Sequence, residues 1–493
     1  MKRIPLLLLS ICCAIGVSQA QSLNSFGLSN ESGIYSVFAN PASGASSLNR
    51  FSINLSSASF GLENNFLRSQ LNYSVLDLIT LKQYREGGSL IQSPYFKLNN
   101  SEVENPRFFA EAEMVGPSLV VGLTKNISLH GYLKERFIGN FDKSNWATVQ
   151  FLDEKQFRNA STEGAYMADL RSTAFREIGF GASLVLFEKR QSQLKAGLTY
   201  KRIQARYLNV LDVPYFDVSS TDEGSSVHAR ISEFTSTSSL ENQNFLSLKN
   251  DGMIGKGSGF DFGLVYEFRP YSMKSTYRKY QLKGWNTNFK RHNHLKYKYR
   301  ISLAILDLGK IKYDAALIEQ NEYIIDETYN SGSFSEHTTV DYLNSVQDSS
   351  GAVQIDEALV LTLPKRMNFG FDYHIYKGMY ASFTANYSLQ NANRGNLEYS
   401  NSLGLQIRNE GRKVMWMVPL RVVPETNTYT LGGMVKVGPF FIGSNNVRTL
   451  FSKNLSDLSL YTGFLFNIPY KKDPTIENFR HIKFLKKQKK VLY

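Results

Sequence analysis

The sequence predicts an all-β fold: a transmembrane antiparallel up-and-down β-barrel of about 14 strands, with an N-terminal plug and long extracellular loops. Three observations predict it, namely a secretory signal, segments that alternate apolar and polar residues, and connections that alternate between short and long. No later segment approaches 18 uninterrupted apolar residues, which argues against a helical span. A closed barrel is then the remaining way for an exported, aromatic-rich chain to cross a membrane.

Residues 1–20 have the pattern of a secretory signal peptide. A basic pair precedes an apolar run and a small-residue cleavage site, so we expect cleavage between Ala20 and Gln21. Cys12 and Cys13 lie within this signal, so the mature chain would contain no thiol and no disulfide. A lipoprotein anchor at Cys12 is the alternative, but the residue before it is bulkier than such processing requires.

Residues 366–376 and 379–389 show the alternation most clearly. In both segments the odd-numbered residues are mainly apolar or aromatic and the even-numbered ones mainly polar, a period of two that is typical of a strand with one apolar face. Charged side chains facing lipid would each cost several kcal/mol, about 2–4 for Arg or Lys at the midplane. We therefore predict that the following polar residues face the lumen: Asn368, Asp372, His374, Ser382, Thr384 and Asn386.

The turn between these two segments can be predicted from their register. Because odd residues are apolar on both sides, we expect a three-residue loop over 376–378, with its glycine in the left-handed conformation. This loop places Asp372 opposite Ser382, and Ile375 opposite Met379.

Fourteen segments of this kind make up a predicted barrel over residues 50–468. They lie near 50–61, 106–123, 126–139, 173–187, 192–206, 256–268, 295–308, 366–376, 379–389, 401–409, 413–421, 428–437, 438–446 and 457–468. Tight turns alternate with the long connections 62–105, 140–172, 207–255 and 309–365, and only 269–294 breaks the pattern. An even number of strands places both termini on one side, which we expect to be periplasmic. A soluble sandwich gives no reason for connections to alternate in this way.

Residues 21–49 precede the first strand and contain the motif Asn40, Pro41 and Ala42. Wall side chains alone do not fill a barrel of 14 strands. We therefore predict that this segment is a plug inside the barrel, with a disordered leader as the alternative.

A short segment ending in Asn40-Pro41-Ala42 and followed by about 14 strands resembles the FadL-like outer-membrane β-barrel superfamily. That superfamily includes long-chain fatty-acid transporters and barrels related to type IX secretion in Bacteroidota. The segments SLAILDLGKIKYD (302–314), LPKRMNFGFDYHIYKGMYASF (363–383) and VGPFFIGSNNV (437–447) are most similar to an uncharacterised Bacteroidota outer-membrane barrel family. The resemblance implies an outer-membrane location and transport of a hydrophobic or amphiphilic molecule, such as an acyl-chain ligand. No ligand-binding residue carries over.

The formal charge of +13 is concentrated in two segments. Loop 269–294 contains seven basic residues and no acidic one, and the tail 469–493 contains eight basic and two acidic residues. The predicted periplasmic basic rim consists of Arg269, Lys274, Arg278, Lys279, Lys283, Lys290 and Arg291. Such a rim could hold lipid headgroups of the outer membrane or an acidic protein partner, and a merely solvated charge run is the alternative. Nucleic acid is not an expected partner, because the aromatic residues lie in strands.

No nucleotide-binding, metalloprotease or serine-hydrolase motif is present. Asp372, His374 and Ser382 share one polar face, which invites a catalytic interpretation, but every such barrel displays polar residues in its lumen. His292 and His294 could hold a metal, although two histidines in a polar loop are the commoner case. We expect no enzyme activity and no cofactor. Three functions remain open: a conduit for apolar or amphiphilic molecules, a scaffold in an envelope complex of type IX secretion or gliding, and, least supported, a barrel hydrolase.

Overall fold

A computed structural model of the chain describes residues 23–74, 77, 91–98, 103, 105–124, 126–142, 144, 164–189, 191–221, 224–236, 252–270, 297–330, 353–354, 359–376, 378–390, 397–411, 414–452, 454–455 and 457–469. The predicted cleavage site, the tail after Pro469 and the basic residues from Lys274 to Arg291 lie outside these ranges. Within them, no helix is both long and apolar enough to cross a membrane, a finding that concerns helices alone.

The described chain contains 22 strands, numbered in chain order. They are β1 (Asn49–Asn64), β2 (Leu67–Leu71), β3 (Ile91–Leu98), β4 (Phe108–Gly122), β5 (Ile127–Asp142), β6 (Gly164–Lys189), β7 (Ser192–Thr221), β8 (Gly224–Ser236), β9 (Gly255–Phe268), β10 (Tyr299–Tyr313), β11 (Ile318–Asn330), β12 (Val353–Gln354), β13 (Val360–Thr362), β14 (Arg366–Tyr376), β15 (Met379–Ser388), β16 (Ser402–Glu410), β17 (Val414–Val423), β18 (Thr428–Leu431), β19 (Gly433–Val437), β20 (Phe440–Ser444), β21 (Asn454–Leu455) and β22 (Leu458–Pro469). The helices are α1 (Leu23–Gly27), α2 (Ile34–Ala39) and α3 (Val447–Phe451), with 3₁₀ turns at Pro41–Gly44 and Ala315–Leu317.

Fourteen of these strands close into one antiparallel ring, which confirms the predicted fold class. The ring runs β1, β4, β5, β6, β7, β9, β10, β14, β15, β16, β17, β18 with β19, β20 and β22, and it returns to β1. β18 and β19 form one strand interrupted at Gly432. At the seam, Ser59 of β1 lies opposite Glu113 on one side and Tyr461 on the other. Asn49 lies opposite Pro469, so both ends of the barrel chain are at the same rim.

The outer surface of the ring is an apolar belt. On β9, Phe260, Phe262 and Leu264 are 41%, 47% and 47% exposed, whereas Asp261 between them is 4% exposed. In a soluble sandwich the apolar residues would be the buried ones, because exposing them to water is unfavourable. The same inversion recurs around the ring, so the chain is a membrane barrel of the outer-membrane type.

A sheet extension continues beyond the belt, at the end opposite the termini. β6 and β7 are 26 and 30 residues long, and β8 pairs with the far end of β7 while β11 pairs with β8. The sequence analysis predicted loops over 207–255 and 309–365, and this part of the prediction was wrong. These strands lie outside the lipid belt, so their sequences lack the strict alternation that marks the other strands.

The turn between β14 and β15 also differs from the prediction. Asp372 does lie opposite Ser382, but Tyr376 rather than Ile375 lies opposite Met379. The extra residue that the prediction assigned to the loop lies instead in a bulge between His374 and Tyr376. The loop is therefore one residue shorter, and the apolar residues of both strands still share one face. The glycine of the turn does not adopt a positive φ.

Candidate functional site

The candidate site is the plug, residues 23–48, together with the wall that it contacts. Phe26, Ile34, Tyr35 and Val37 of its two short helices are at most 1% exposed. The rings of Phe26 and Tyr35 pack on Phe441 of β20 at centroid distances of 5.3 and 5.5 Å. These helices are too short to be stable alone, so burial against the wall holds them in place.

The Asn-Pro-Ala motif fastens the plug to two neighbouring wall strands. The amide nitrogen of Asn40 donates to the carbonyls of Leu264 and Leu303, on β9 and β10, at 3.0 Å each. Its amide oxygen accepts the Ala42 N–H at 2.9 Å and so caps the 3₁₀ turn that Pro41 begins. One side chain thus closes the plug turn and binds the wall.

Wall glycines make this close approach possible. A Cβ added at Gly263 would lie 2.0 Å from the Asn40 amide oxygen, and one added at Gly197 would lie 2.3 Å from the Ala42 nitrogen. On the neighbouring strand the Ser183 hydroxyl donates to the Pro41 carbonyl at 2.7 Å. Larger residues at either glycine would push the motif off the wall.

A second attachment joins the plug to buried charges on the wall. The carbonyl of Leu28 accepts hydrogen bonds from Arg408 Nη2, at 3.1 Å, and from Arg300. The two terminal nitrogens of Arg408 bind both oxygens of Asp372 at 2.9 and 2.7 Å, a bidentate pair. Tyr297, just before β10, also donates to Asp372, and burial raises the pKa of Tyr297 so that its hydroxyl stays protonated.

A larger group of buried charges crosses the lumen beyond the plug. Asp307 lies in a bulge of β10 with φ of 60° and is 0% exposed. It pairs with Arg136 of β5 at 3.1 Å and with Lys201 of β7, and Lys201 also pairs with Asp261 of β9 at 2.8 Å. These contacts join the inner faces of β5, β7, β9 and β10 and fill the space between them.

The barrel wall is interrupted at Gly116-Pro117 in β4. Pairing breaks between Val115 and Ser118 on both sides of the strand, toward β1 and toward β5. The Asn54 amide of β1 donates to the carbonyls of Val115 and Gly116 at 3.2 and 3.1 Å. We call this interruption the wall break. Here the Asn54 side chain supplies the hydrogen-bond donors that the backbone of a neighbouring strand supplies along paired parts of the wall.

The plug reaches the wall break directly. The hydroxyl of Tyr35 donates to the Asn54 amide oxygen at 3.1 Å and also contacts the Ser57 hydroxyl. Burial raises the pKa of Tyr35, so the hydroxyl stays protonated and remains a donor. Beside it, Phe38 packs edge-on against Tyr132 of β5 at 4.8 Å. The inner surface of the wall break is thus aromatic and belongs in part to the plug.

A small cavity lies further along β4, toward the end of the barrel opposite the termini. Its volume is about 20 Å³, room for about one water molecule. Its lining mixes apolar residues, among them Phe109, Ile138 and Tyr399, with the carboxylate of Glu111, whose two oxygens have no hydrogen-bond partner within the described structure. This mixture suits a molecule with an apolar body and a polar group.

The residues predicted to face the lumen occupy different environments. Asn368 donates to the plug carbonyl of Ala39 at 3.2 Å. Asp372 and Ser382 hydrogen-bond to each other and lie beside Arg408, which contacts the plug. Thr384 and Asn386 are half-buried on β15, with Asn386 donating to Ser402 at 3.0 Å.

The possible Asp-His-Ser arrangement is not assembled as a catalytic triad. Ser382 donates to Asp372 directly at 2.7 Å, whereas the half-buried ring of His374 packs against Tyr380 at 5.0 Å. A triad requires the histidine between the two. Within the described ranges, no three His, Cys, Asp or Glu residues are grouped to hold a metal. The pair His292 and His294 lies outside those ranges.

Arg269 is the only member of the predicted basic rim within the described ranges. It is 5% exposed and donates from Nε to Glu267 at 3.0 Å, so its charge is directed into the barrel rather than to the rim. The sequence analysis also missed Tyr35, Asn54, Asp307 and Arg408 as site residues. For Asn54 and Arg408, the usable signal was an amide or charged residue at an inward position of a strand whose outward residues are apolar.

Comparisons with known proteins give a family and distant structural similarities. A family of unknown function (DUF5723) matches residues 41–445. No curated protein matches the sequence. The structure is similar to the Ralstonia pickettii toluene transporter TbuX, at 10% identity over 89% of this chain and 94% of that chain with a TM-score of 0.38. It is similar to a Pseudomonas aeruginosa FadL homologue, at 10% identity over 87% and 92% with a TM-score of 0.38. It is also similar to a mutant of the TodX monoaromatic hydrocarbon channel, at 9% identity over 89% and 95% with a TM-score of 0.39.

Proposed function

The chain belongs to this family of unknown function, and we propose that it is an outer-membrane conduit for apolar or amphiphilic small molecules, with both termini in the periplasm. The observation that carries the proposal is the wall break at Gly116-Pro117, which Asn54 closes and the plug residue Tyr35 holds closed. A molecule that moves between the lumen and lipid needs an opening in the wall, because paired strands otherwise close it.

The plugged structure is a closed state under this proposal. The cavity near Glu111 has room for about one water, whereas ligand pockets usually hold about 300–1,000 Å³. The buried side chains of the charged group around Asp307 occupy part of the lumen beyond the plug. Passage therefore requires the plug to move, and the aromatic surface behind the wall break gives an apolar molecule a path to lipid.

The position of the cavity supports the same path. It lies on β4 at Glu111, and the wall break lies further along the same strand, about 20 Å away at the rise of a β-strand. An amphiphile, such as a molecule with an acyl chain, could place its polar group near Glu111 while its chain points toward the wall break.

A disulfide that locks the plug tests the conduit. A Cβ added at Gly44 would lie 3.6 Å from the Cβ of Ser183 on β6, which is within the range of disulfides. The double variant Gly44→Cys/Ser183→Cys should fasten the plug to the wall, and the only native cysteines lie in the predicted signal. Uptake of a radiolabelled long-chain fatty acid would be measured in cells that express the full chain, before and after reduction.

We expect uptake to be low in the oxidised double variant and to return on reduction. Each single cysteine variant, treated in the same way, controls for the loss of the Ser183 hydrogen bond to the plug. Uptake that is equal in the oxidised and reduced double variant, with the disulfide verified by mass spectrometry, would reject a conduit that depends on plug movement.

A scaffold in an envelope complex, such as type IX secretion or gliding machinery, is the second candidate. The sheet extension favours it, because the far end of β7, β8 and β11 project beyond the belt and expose Ile324 of β11 at 62% and Tyr215 of β7 at 41%. A protein that co-purifies with the chain in stoichiometric amount, and is lost when Ile324 becomes Lys, would support a scaffold. A hydrolase, the third candidate, requires that His374→Ala abolish hydrolysis of a lipid or peptide.

A further inference from the structure

Four basic side chains form a patch on the outer surface of the barrel, above the apolar belt. Arg202 lies on β7, Lys256 on β9, and Lys310 and Lys312 on β10, and all four are exposed. These strands are neighbours in the ring: Ser258 lies opposite Arg202 on one side and Lys310 on the other, and Lys256 lies opposite Lys312. The spacing of strands therefore places the Cα atoms of the four residues within about 12 Å of one another. We call them the outer basic patch.

The register of β10 determines that the patch is on the outside. Before the bulge at Asp307, odd-numbered residues such as Ile305 face outward; after it, Ile311 is 0% exposed and the even-numbered Lys310 and Lys312 face outward. Without the bulge, both lysines would point into the lumen. The bulge at Asp307 thus determines that Lys310 and Lys312 place their charges on the outer face of the barrel.

No carboxylate forms an ion pair with the patch within the described part of the chain. None of its four side chains forms an ion pair or hydrogen bond there. The nearest carboxylate along β10, Asp314, accepts the Ala316 N–H at 3.2 Å as the cap of a 3₁₀ turn. Lys256 and Lys312 occupy directly opposite positions, where like charges destabilise a sheet. An anion between the two ammonium groups would remove this repulsion.

The apolar belt next to the patch indicates which kind of anion would bind there. The next outward residues are Tyr200 and Phe260, whose rings contact each other at 5.3 Å, and Phe262 follows at 6.4 Å from Phe260. Aromatic residues at this height mark the boundary between hydrocarbon and headgroups. An anion at the patch would therefore be attached to acyl chains that lie along these rings. Lysine and arginine are the residues that bind phosphate.

We propose that the outer basic patch binds the phosphorylated headgroup of a membrane lipid, in the leaflet that meets the barrel end opposite the termini, with the acyl chains of that lipid on Tyr200, Phe260 and Phe262. This site lies outside the barrel and is independent of the plug and the wall break. It requires no transport, so it can be true whether or not the chain is a conduit.

Native mass spectrometry of the full chain in a mild detergent tests the site, with diphosphoryl lipid A as the probe. The wild type should retain one lipid, and Lys310→Gln/Lys312→Gln should weaken its binding roughly tenfold or more, since each basic residue near a charged lipid contributes about 1 kcal/mol. Arg50→Gln/Lys189→Gln removes two exposed charges near the opposite rim and should bind as the wild type does. Phosphatidylethanolamine, whose own ammonium group neutralises its phosphate, should show no difference between variants, because the patch is expected to bind a headgroup with net negative charge.

Thermal unfolding supplies a second readout. Without lipid, Lys256→Gln should raise the melting temperature, because it removes a like-charge pair; with lipid A, the wild type should gain more than the variant. Equal lipid A binding by the wild type and the Lys310→Gln/Lys312→Gln variant would overturn the proposal. Displacement of lipid A by millimolar inorganic phosphate would also overturn it, because the site would then recognise free phosphate rather than a lipid.

Discussion

The hydroxyl of Tyr35 in the plug donates a hydrogen bond to the amide of Asn54 in the wall, at 3.1 Å. The same amide donates to the carbonyls of Val115 and Gly116, where β4 loses its pairing with both neighbours. The plug therefore contacts, through Asn54, a part of the wall where pairing between strands is interrupted. If the chain is a conduit, we expect movement of the plug and opening of the wall to be coupled at Asn54.

Replacement of Asn54 by Ala should open the wall break without removing the plug. Two carbonyls would lose their donor, which costs about 1–3 kcal/mol when such groups are buried. Urea unfolding in detergent should show this loss of stability, and uptake of the fatty-acid probe should rise. Tyr35→Phe keeps the ring and removes only the hydroxyl, so its effects should be smaller and in the same direction. Lower uptake in both variants would contradict the coupling.

Replacement of Gly263 by Ala should detach the Asn-Pro-Ala motif from the wall. The new methyl group would overlap the Asn40 amide oxygen, 2.0 Å away, and two hydrogen bonds to β9 and β10 would be lost. Limited proteolysis of the folded barrel should then cut the plug faster than in the wild type. Gly139→Ala is the matched control, because its nearest neighbour lies at 3.5 Å, an ordinary contact. Equal cleavage in both variants would mean that the motif does not hold the plug.

Replacement of Asp372 by Ala should be among the most destabilising changes in the barrel. It leaves Arg408 and Arg300 buried without their shared carboxylate, and removal of one partner of a buried pair costs about 3–5 kcal/mol. The variants Asp372→Asn, Arg408→Gln and their combination form a double-mutant cycle that would be followed by urea unfolding. We expect a coupling energy of at least about 1 kcal/mol. An additive cycle would show that the two residues do not stabilise each other.

Replacement of Asp307 separates backbone strain from charge. Asparagine tolerates the left-handed φ of 60° but lacks the charge that pairs with Arg136 and Lys201. Alanine lacks the charge and also disfavours the left-handed φ. We therefore expect Asp307→Ala to be less stable than Asp307→Asn, by about 1 kcal/mol, and both to be less stable than the wild type. Equal unfolding midpoints for the two variants would assign the whole effect to charge.

The fold could be predicted because lipid imposes a strict pattern on the strands. In β9 every outward residue from Phe260 to Leu264 is apolar, and a period of two shows this without any structure. The sheet extension at β8 and β11 could not be predicted, because water on its surface imposes no such pattern. The bulge at Asp307 is equally invisible in the sequence, since a bulge depends on how two strands pair.

The candidate site was predicted only in part, for a similar reason. An inward polar residue such as Asp372 can be identified from the parity of its strand. Its partner Arg408 lies 36 positions away on another strand, and nothing in a single sequence joins the two. The role of Asn54 depends on the interruption in β4, which the dipeptide Gly116-Pro117 suggests but does not locate relative to β1.

The carbonyl of Glu31 in the plug accepts hydrogen bonds from Lys436 on β19 and from Asn467 on β22, at 3.2 and 2.7 Å. Asn467 is 436 positions further along the chain and belongs to the last strand of the ring. The plug, which precedes β1 in the chain, is thus held in part by the last strand of the ring. We therefore expect the plug to be fixed only once β22 has closed the ring, so an ordered Glu31 would mark a completed barrel.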